Sequence, residues 1–339
     1  MLGGFSQDDY AQPMTMSGQE PFLLMVADGE DKTSPLKNRI RKNYRHIRKW
    51  ANRTRTNCFR VYDRDIKEYP LAIDYYDGRF CVHYFSESSQ QPRKDLYEAA
   101  TGAICSIFGV SEEKIHWRTR IKRERTEQYE KFSESRDFFT VLEYGVKFRV
   151  NLVNYLDTGL FLDHRETRQM VAAIAKGNRL LNLFAYTCSF SVHAALRGAV
   201  FTKSVDLSNT YTEWGKFNYF LNGIPLKNNV IMREDCLKFL DEEEEKYDLI
   251  VIDPPTISRS KKMDQMFDIQ ADYVSLITKA LKLLEEGGTL FFSTNSRRFS
   301  LDESRFPECR VQDISKKTIP IDFHHQKVHR CWKFSMKNY

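Results

Sequence analysis

The sequence predicts a doubly wound, Rossmann-like α/β protein, a mainly parallel sheet closed by an antiparallel hairpin and preceded by a small α+β domain. Three observations predict it. After Tyr155, short apolar runs alternate with amphipathic stretches, the pattern of parallel strands covered by helices. The last two strand-like runs, 310–316 and 327–334, leave room for little more than a turn between them, so they should pair antiparallel. Before Tyr155, strand pairs turn at Asp77-Gly78 and Tyr144-Gly145; Asp-Gly suits the two positive φ angles of a type I′ turn.

Taken in order, residues 1–35 are rich in Gly, Ser, Gln and Asp without a sustained period, and read as a tail or linker. Residues 36–60 read as a basic amphipathic helix. Leu36, Ile40, Tyr44, Ile47 and Ala51 share one helical face, and nine basic residues with no acid stand between Lys37 and Arg55. The small α+β domain, 61–155, should hold strands at 69–76, 79–85, 114–122, 138–143 and 146–153, with a helix at 96–108 closed by Gly109. From 156 to 339, strands fall at 179–184, 203–206, 230–232, 247–252 and 289–293, and helices at 190–196, 211–221, 236–244 and 265–285.

Composition narrows the function classes. With 339 residues, 41% of them apolar, a buried core is expected and wholesale disorder is excluded. No apolar run approaches the roughly 18 residues of a membrane span, and no signal peptide is evident. The seven cysteines are scattered without a CxxC pair or a Cys/His cluster at zinc spacing, so we expect reduced thiols in the cytoplasm and no metal. Net charge is +6, and it is concentrated: outside 37–55 the remaining 43 basic and 46 acidic residues carry a net −3. That concentration points to RNA phosphates, with Arg39, Arg41, Lys42, Arg45, Arg48 and Lys49 as contacts. Trp117, Arg118, Arg120, Lys122, Arg123 and Arg125 form a second basic strip, from which Arg118, Arg120 and Lys122 are expected to touch RNA.

In an open parallel sheet, ligands sit off the carboxyl ends of the strands, so polar residues there are candidate contacts. Four places qualify: the loop 185–189, Asp206, Asp235, and Asp253-Pro254-Pro255. A carboxylate ending the second strand suits a ribose diol. The first loop, Phe184-Ala185-Tyr186-Thr187-Cys188-Ser189, contains no glycine, whereas a pyrophosphate needs G-x-G-x-x-G for close approach of amides. A dinucleotide is therefore disfavoured, and S-adenosylmethionine, which has no phosphate, is the expected cofactor. A parallel sheet ending in an antiparallel hairpin is the seven-stranded arrangement of class I S-adenosylmethionine methyltransferases.

The stretch Tyr155-Leu156-Asp157-Thr158-Gly159-Leu160-Phe161-Leu162-Asp163-His164-Arg165, the run Leu181-Asn182-Leu183-Phe184-Ala185-Tyr186-Thr187, and Asp253-Pro254-Pro255-Thr256 resemble the bacterial large-subunit rRNA methyltransferases. The likeness is greatest to the C-terminal, guanine-N7 methylating half of the bifunctional K/L enzymes, and runs from about Lys37 to Trp332. The resemblance implies S-adenosylmethionine as cofactor and 23S rRNA as substrate. It also implies a separate protein as carrier of the family's guanine-N2 half. Cofactor contacts are expected from Phe161, Asp163, Arg165, Asn182, Phe184, Tyr186, Thr187, Asp206, Leu207, Asp235, Cys236 and Asp253. Asp253, Pro254 and Pro255 form the expected catalytic edge. The chain departs from the family at Cys188, where glycine is usual and a side chain is expected to narrow the methionine pocket; Asn182 stands in place of the first-strand acid of methyltransferases generally, a change this family tolerates.

The acceptor atom follows from chemistry. Cytosine C5 needs a thiol that adds to C6, yet neither 256–262 nor the end of the fifth strand, Ser293-Thr294-Asn295-Ser296, holds a cysteine. Exocyclic-amine methylases usually follow their Asn/Asp-Pro-Pro with a stacking aromatic, and here Thr256 follows. Guanine N7 has an in-plane lone pair and needs positioning more than a base. It becomes cationic on methylation, which a carboxylate and proline carbonyls stabilise. Guanine N7 is thus the expected acceptor; cytosine C5 methylation and a non-catalytic rRNA-binding assembly factor of the same fold are the alternatives.

Overall fold

Leu36, Ile40, Tyr44, Ile47 and Ala51 bury one face of α1 (Pro35–Thr54), and Ser34 caps its first turn by accepting from Lys37 N. The computed structural model describes residues 22–26, 29, 31, 34–86, 91–121, 137–155, 157–258, 267–325 and 327–337. In it, α1 packs on a four-stranded sheet of order β1-β2-β3-β4: β1 (Cys58–Asp63), β2 (Leu71–Tyr76), β3 (Arg79–Ser86) and β4 (Ile115–Ile121). Helix α2 (Lys94–Phe108) shares that core and ends at Gly109, φ 66°. At the first hairpin, Asp77 and Gly78 have φ of 46° and 80°, as a type I′ turn requires.

Three expectations change here. The basic helix stops at Thr54 and does not reach residue 60; Arg55 turns left-handed, and the segment continues into β1, whose polar Arg60 and Asp63 interrupt its apolar run. Part of the expected tail belongs to the core, because Leu23 is buried against α1 and Tyr44 Oη donates to Leu24 O at 2.7 Å. The hairpin β5 (Phe138–Glu143) and β6 (Val146–Asn151) does not join the small sheet. Val141, Phe148 and Val150 share one core both with Cys58, Tyr76 and Cys81 of the small sheet and with Cys188, Val192 and Tyr219 farther along the chain.

Seven strands form the larger sheet. In chain order its elements are α3 (Arg165–Ala173), β7 (Arg179–Leu183), α4 (Ser189–Leu196), β8 (Phe201–Asp206), α5 (Asn209–Leu221), β9 (Asn229–Arg233), α6 (Cys236–Glu242) and β10 (Tyr247–Ile252). After a short pair, β11 (Ile257–Ser258) and β12 (Phe267–Asp268), come α7 (Ile269–Lys282), β13 (Leu284–Thr294), β14 (Cys309–Asp313), α8 (Ser315–Thr318) and β15 (Arg330–Met336). The strand order is β14-β15-β13-β10-β7-β8-β9, with β15 antiparallel to both neighbours and the remaining pairs parallel. Helix α7 begins later than position 265 because Asp268 caps it, accepting from Gln270 N and Ala271 N. The one-turn α8 occupies the gap where only a turn was expected. No helix among the described residues is long and apolar enough to cross a membrane.

Candidate active site

Strand order reverses between β7 and β10, and a cleft open to solvent lies at their carboxyl ends. Of the expected residues, Phe161, Asp163, Asn182, Phe184, Tyr186, Asp206, Asp253, Pro254 and Pro255 line it. His164, Arg168, Phe190, Tyr211 and Asn295 line it as well.

The loop after β7 replaces glycines with strained residues. Phe184, Tyr186 and Cys188 have φ of 56°, 51° and 62°, each in the left-handed region at a cost of about 1–3 kcal/mol. Surrounding contacts hold the loop in place. Phe184 N donates to Cys236 Sγ (3.2 Å), Tyr186 N to Asp206 Oδ2 (2.9 Å), and Thr187 Oγ1 to Gly159 O (2.7 Å). Gly159 N in turn donates to Tyr186 Oη at 2.9 Å. Only glycine fits there: φ is 95°, and a Cβ would lie 2.2 Å from the Trp214 ring. The motif 155–165 is thereby tied to the loop it faces.

Asp206 accepts from Tyr186 N and Ser208 N (2.8 Å), one on each oxygen, which leaves further lone pairs toward the cleft. Burial raises its carboxyl to about 6, against the pull of those two amides. Asn182 donates to Ser191 Oγ (2.9 Å) at the floor.

At the opposite wall, Ser293 Oγ donates to Asp253 Oδ1 at 2.6 Å, and His164 Nε2 stands 3.5 Å from Asp253 Oδ2. The same Nε2 is 3.9 Å from Asp163 Oδ2. His164 stacks on His329, ring centroids 4.4 Å apart at 15°; His329 Nδ1 meets Asp163 at 3.2 Å and its Nε2 meets Thr318 Oγ1 at 2.8 Å. Burial pushes the His164 imidazole below its usual range. Burial works against the Asp163 carboxylate, yet the two imidazoles beside it hold it well below the ordinary carboxylate range. Asp163, His164 and His329 also place one ligand atom each within 4.8 Å of one another, a spacing compatible with a metal ion. The stack argues against that use, because a cation between the rings would lie out of both ring planes and away from their lone pairs. Sequence reasoning missed His164 and His329. The first sat unmarked inside the quoted motif, and nothing local signals that a residue 165 positions later will lie on its ring.

Several expected contacts fall elsewhere. Arg165 does not reach the cleft: it is fully buried, bonds Asp322 through Nη1 and Nη2 at 3.0 Å each, and donates to Cys58 O. Its neighbour one helical turn on, Arg168, is the arginine at the cleft. It forms a bidentate pair with Glu143 at 2.7 Å and donates to Phe161 O. Thr187, Leu207, Asp235 and Cys236 are absent from the lining. Asp235 caps α6 by accepting from Leu237 N, and Cys236 is buried beneath Phe184. Cys188 does not narrow the cleft, since its side chain packs into the core against Gly215.

On α1, Lys42, Arg45 and Lys49 are exposed, whereas Arg39, Arg41 and Arg48 are half-buried, with Arg41 donating to Gly29 O. Arg118 lies against Asn151 O (3.4 Å). The side chain of Arg120 and the whole of Lys122 lie outside the described residues.

Comparison with known proteins gives this geometry a context. A model of the S-adenosylmethionine-dependent methyltransferase family matches residues 61–309. The ribosomal RNA large subunit methyltransferase K of Neisseria meningitidis serogroup B is 44% identical over 312 residues, 90% of this chain and 88% of that protein. The K/L enzyme of Aeromonas hydrophila is 43% identical over 91% of this chain but only 44% of its own length. Among solved structures, a protein described as an S-adenosylmethionine-dependent methyltransferase from Streptococcus mutans superposes with a TM-score of 0.70 at 23% identity, covering 88% of this chain and 80% of that one. A methyltransferase structure complexed with S-adenosylhomocysteine gives 0.68 at 22% identity, covering 90% and 83%.

Proposed function

Because the chain belongs to the S-adenosylmethionine-dependent methyltransferases, alongside the rRNA large subunit enzymes K and K/L, we propose that it transfers a methyl group to N7 of a guanine in 23S rRNA. The cleft suits the cofactor. Asp206 offers free carboxylate lone pairs to a ribose diol, Phe161 and Tyr186 supply flat apolar surface, and the described lining contains no glycine. When bound, S-adenosylmethionine supplies an electrophilic methyl on a sulfonium.

The observation that carries the acceptor is the make-up of the Asp253 rim. Ser293 holds one oxygen of the carboxylate and His164 faces the other, with Pro254 and Pro255 beside them. Proline has no amide proton, so this edge mainly accepts hydrogen bonds or stabilises positive charge. N7 methylation creates such a charge and releases no proton. None of the seven cysteines is in the described lining, and burial raises the nearest loop thiol, Cys188, to about 12, which disfavours the nucleophilic route to cytosine C5. Within an A-form helix N7 lies in a groove too narrow to enter, so the guanine must be unpaired or flipped, at roughly a few kcal/mol. Phosphate contacts from Lys42, Arg45, Lys49 and their neighbours would offset that cost.

The test is Asp253→Ala. Turnover should fall roughly a hundredfold while cofactor affinity stays within about twofold, as for a group acting on transition-state charge. Undiminished turnover would place the transfer at another edge of the cleft.

A further inference from the structure

We propose that His164 is a positioning residue for methyl transfer: its imidazole presents one N–H to the carboxylates of Asp253 and Asp163, and so holds the Asp253 rim in its accepting orientation. This rests on the reading of Asp253 as the edge where transfer occurs.

The geometry is specific. One nitrogen, Nε2, faces both carboxylates, at 3.5 Å from Asp253 and 3.9 Å from Asp163, while Nδ1 is buried without a hydrogen-bond partner. Two acceptors at Nε2 and none at Nδ1 select the tautomer with its proton on Nε2. The ring cannot swing away, because His329 stacks on one face and is itself held by Asp163 and Thr318. His164 lines the cleft although only 4% of its surface is exposed, so it touches the site more than solvent. Ser293, on a different element, donates to the other oxygen of Asp253 at 2.6 Å, so one side of the carboxylate is hydrogen-bonded and the other faces His164 Nε2 at 3.5 Å.

The charge state matters to the proposed chemistry. The charged and titratable groups that face His164 are Asp253, Asp163, His329 and Arg168. Burial outweighs the two carboxylates, so the ring is neutral at pH 7. A protonated ring would pair with Asp253 and cancel the negative charge that a forming cationic base needs. Turnover at saturating cofactor should therefore have an acid limb that belongs to His164.

Two substitutions separate this from a packing role. His164→Gln places an amide N–H near the position of Nε2 and does not titrate, whereas His164→Phe fills the space without a donor. With transcribed 23S rRNA and labelled S-adenosylmethionine, the Gln variant should keep kcat within about threefold of wild type and lose the acid limb. The Phe variant should lose at least tenfold in kcat with little change in cofactor affinity. A full-rate Phe variant, or a Gln variant that keeps the acid limb, overturns the proposal. An independent readout needs no RNA: in an NMR titration of the imidazoles, Asp253→Asn should lower the His164 midpoint, and an unmoved midpoint also overturns it. If the RNA is not methylated at all, the substrate reading fails and the titration still decides the role of His164.

Discussion

Cys188 Sγ occupies the space that a side chain at position 215 would need: a Cβ on Gly215 would lie 2.5 Å from that sulfur and 3.3 Å from Cys188 Cβ. The cysteine thus faces α5 and the core, and leaves the cleft as wide as a glycine would. Its costs and gains nearly cancel. A left-handed φ of 62° is strained for a side chain, by about 1–2 kcal/mol, and burying the thiol returns a similar amount. Cys188→Gly should therefore change stability by less than about 1 kcal/mol and leave turnover intact. Gly215→Ala alone should destabilise by about 1–3 kcal/mol through overpacking, and much of that loss should vanish in the double variant. Urea unfolding of the four proteins measures the coupling; additive effects would mean that the two positions do not share this space.

Cofactor binding should depend on pH through Asp206. Its carboxyl is raised to about 6, so below that pH it is protonated and loses acceptor capacity for the ribose diol. Affinity should weaken about tenfold from pH 7 to pH 5 and level off above pH 7. The same shift acts on folding with the opposite sense. The proton is held more tightly in the folded than in the unfolded chain, so this group's contribution is greatest in acid and is lost as pH rises through about 6. Asp206→Asn should bind at least tenfold more weakly at pH 7.5 and show no pH dependence in this window. Calorimetry across pH checks both, and a flat wild-type profile would remove Asp206 from the ribose site.

Glu143 is the hub of a buried ionic cluster, 0% exposed, with Arg168 at 2.7 Å, His193 at 3.1 Å and Arg165 at 3.8 Å. Burial opposes its charge, but Arg168 and His193 hold the carboxyl well below the usual range. Glu143→Ala strips buried Arg168 of its carboxylate partner, whereas Arg165 keeps Asp322, and should cost about 3–5 kcal/mol. Because the folded carboxyl is the stronger acid, its contribution is present at neutral pH and lost as pH falls through the carboxylate range. Thermal unfolding at pH 7 and pH 4 should show the gap between wild type and variant narrowing in acid; an equal gap at both would assign the loss to packing.

Removing three exposed cations of α1 tests the RNA face. Lys42→Ala, Arg45→Ala and Lys49→Ala together should reduce the salt slope of RNA binding by about 0.7–0.9 per lost phosphate contact. Cofactor affinity should not move. A wild-type slope in the triple variant would turn that helix face away from RNA.

What the sequence revealed of the fold and the site has physical limits. Apolar periodicity marked α1 and the parallel strands because their burial is one-sided or complete, and strand-end acids placed Asp206 and Asp253 at the cleft. Asp235 has the same local signature yet caps a helix, because a carboxylate at a strand end serves either purpose and only the third dimension separates them. Arg165 and Arg168 lie on one helix, one turn apart. Which of them meets the cleft depends on Glu143 and Asp322, distant in sequence. The hairpin of β5 and β6 packs at once on Cys58 and Tyr76 of the small sheet and on Cys188 and Tyr219, a bridging position that its own alternation does not encode.

The most direct measurement of the central claim is borohydride reduction and aniline cleavage of 23S rRNA after incubation with the protein and S-adenosylmethionine, since this chemistry breaks the chain at N7-methylguanosine. The account predicts one new break, at a guanine, that depends on the cofactor and on Asp253. Methyl incorporation without any break would contradict it and move the acceptor to an exocyclic amine or to cytosine C5.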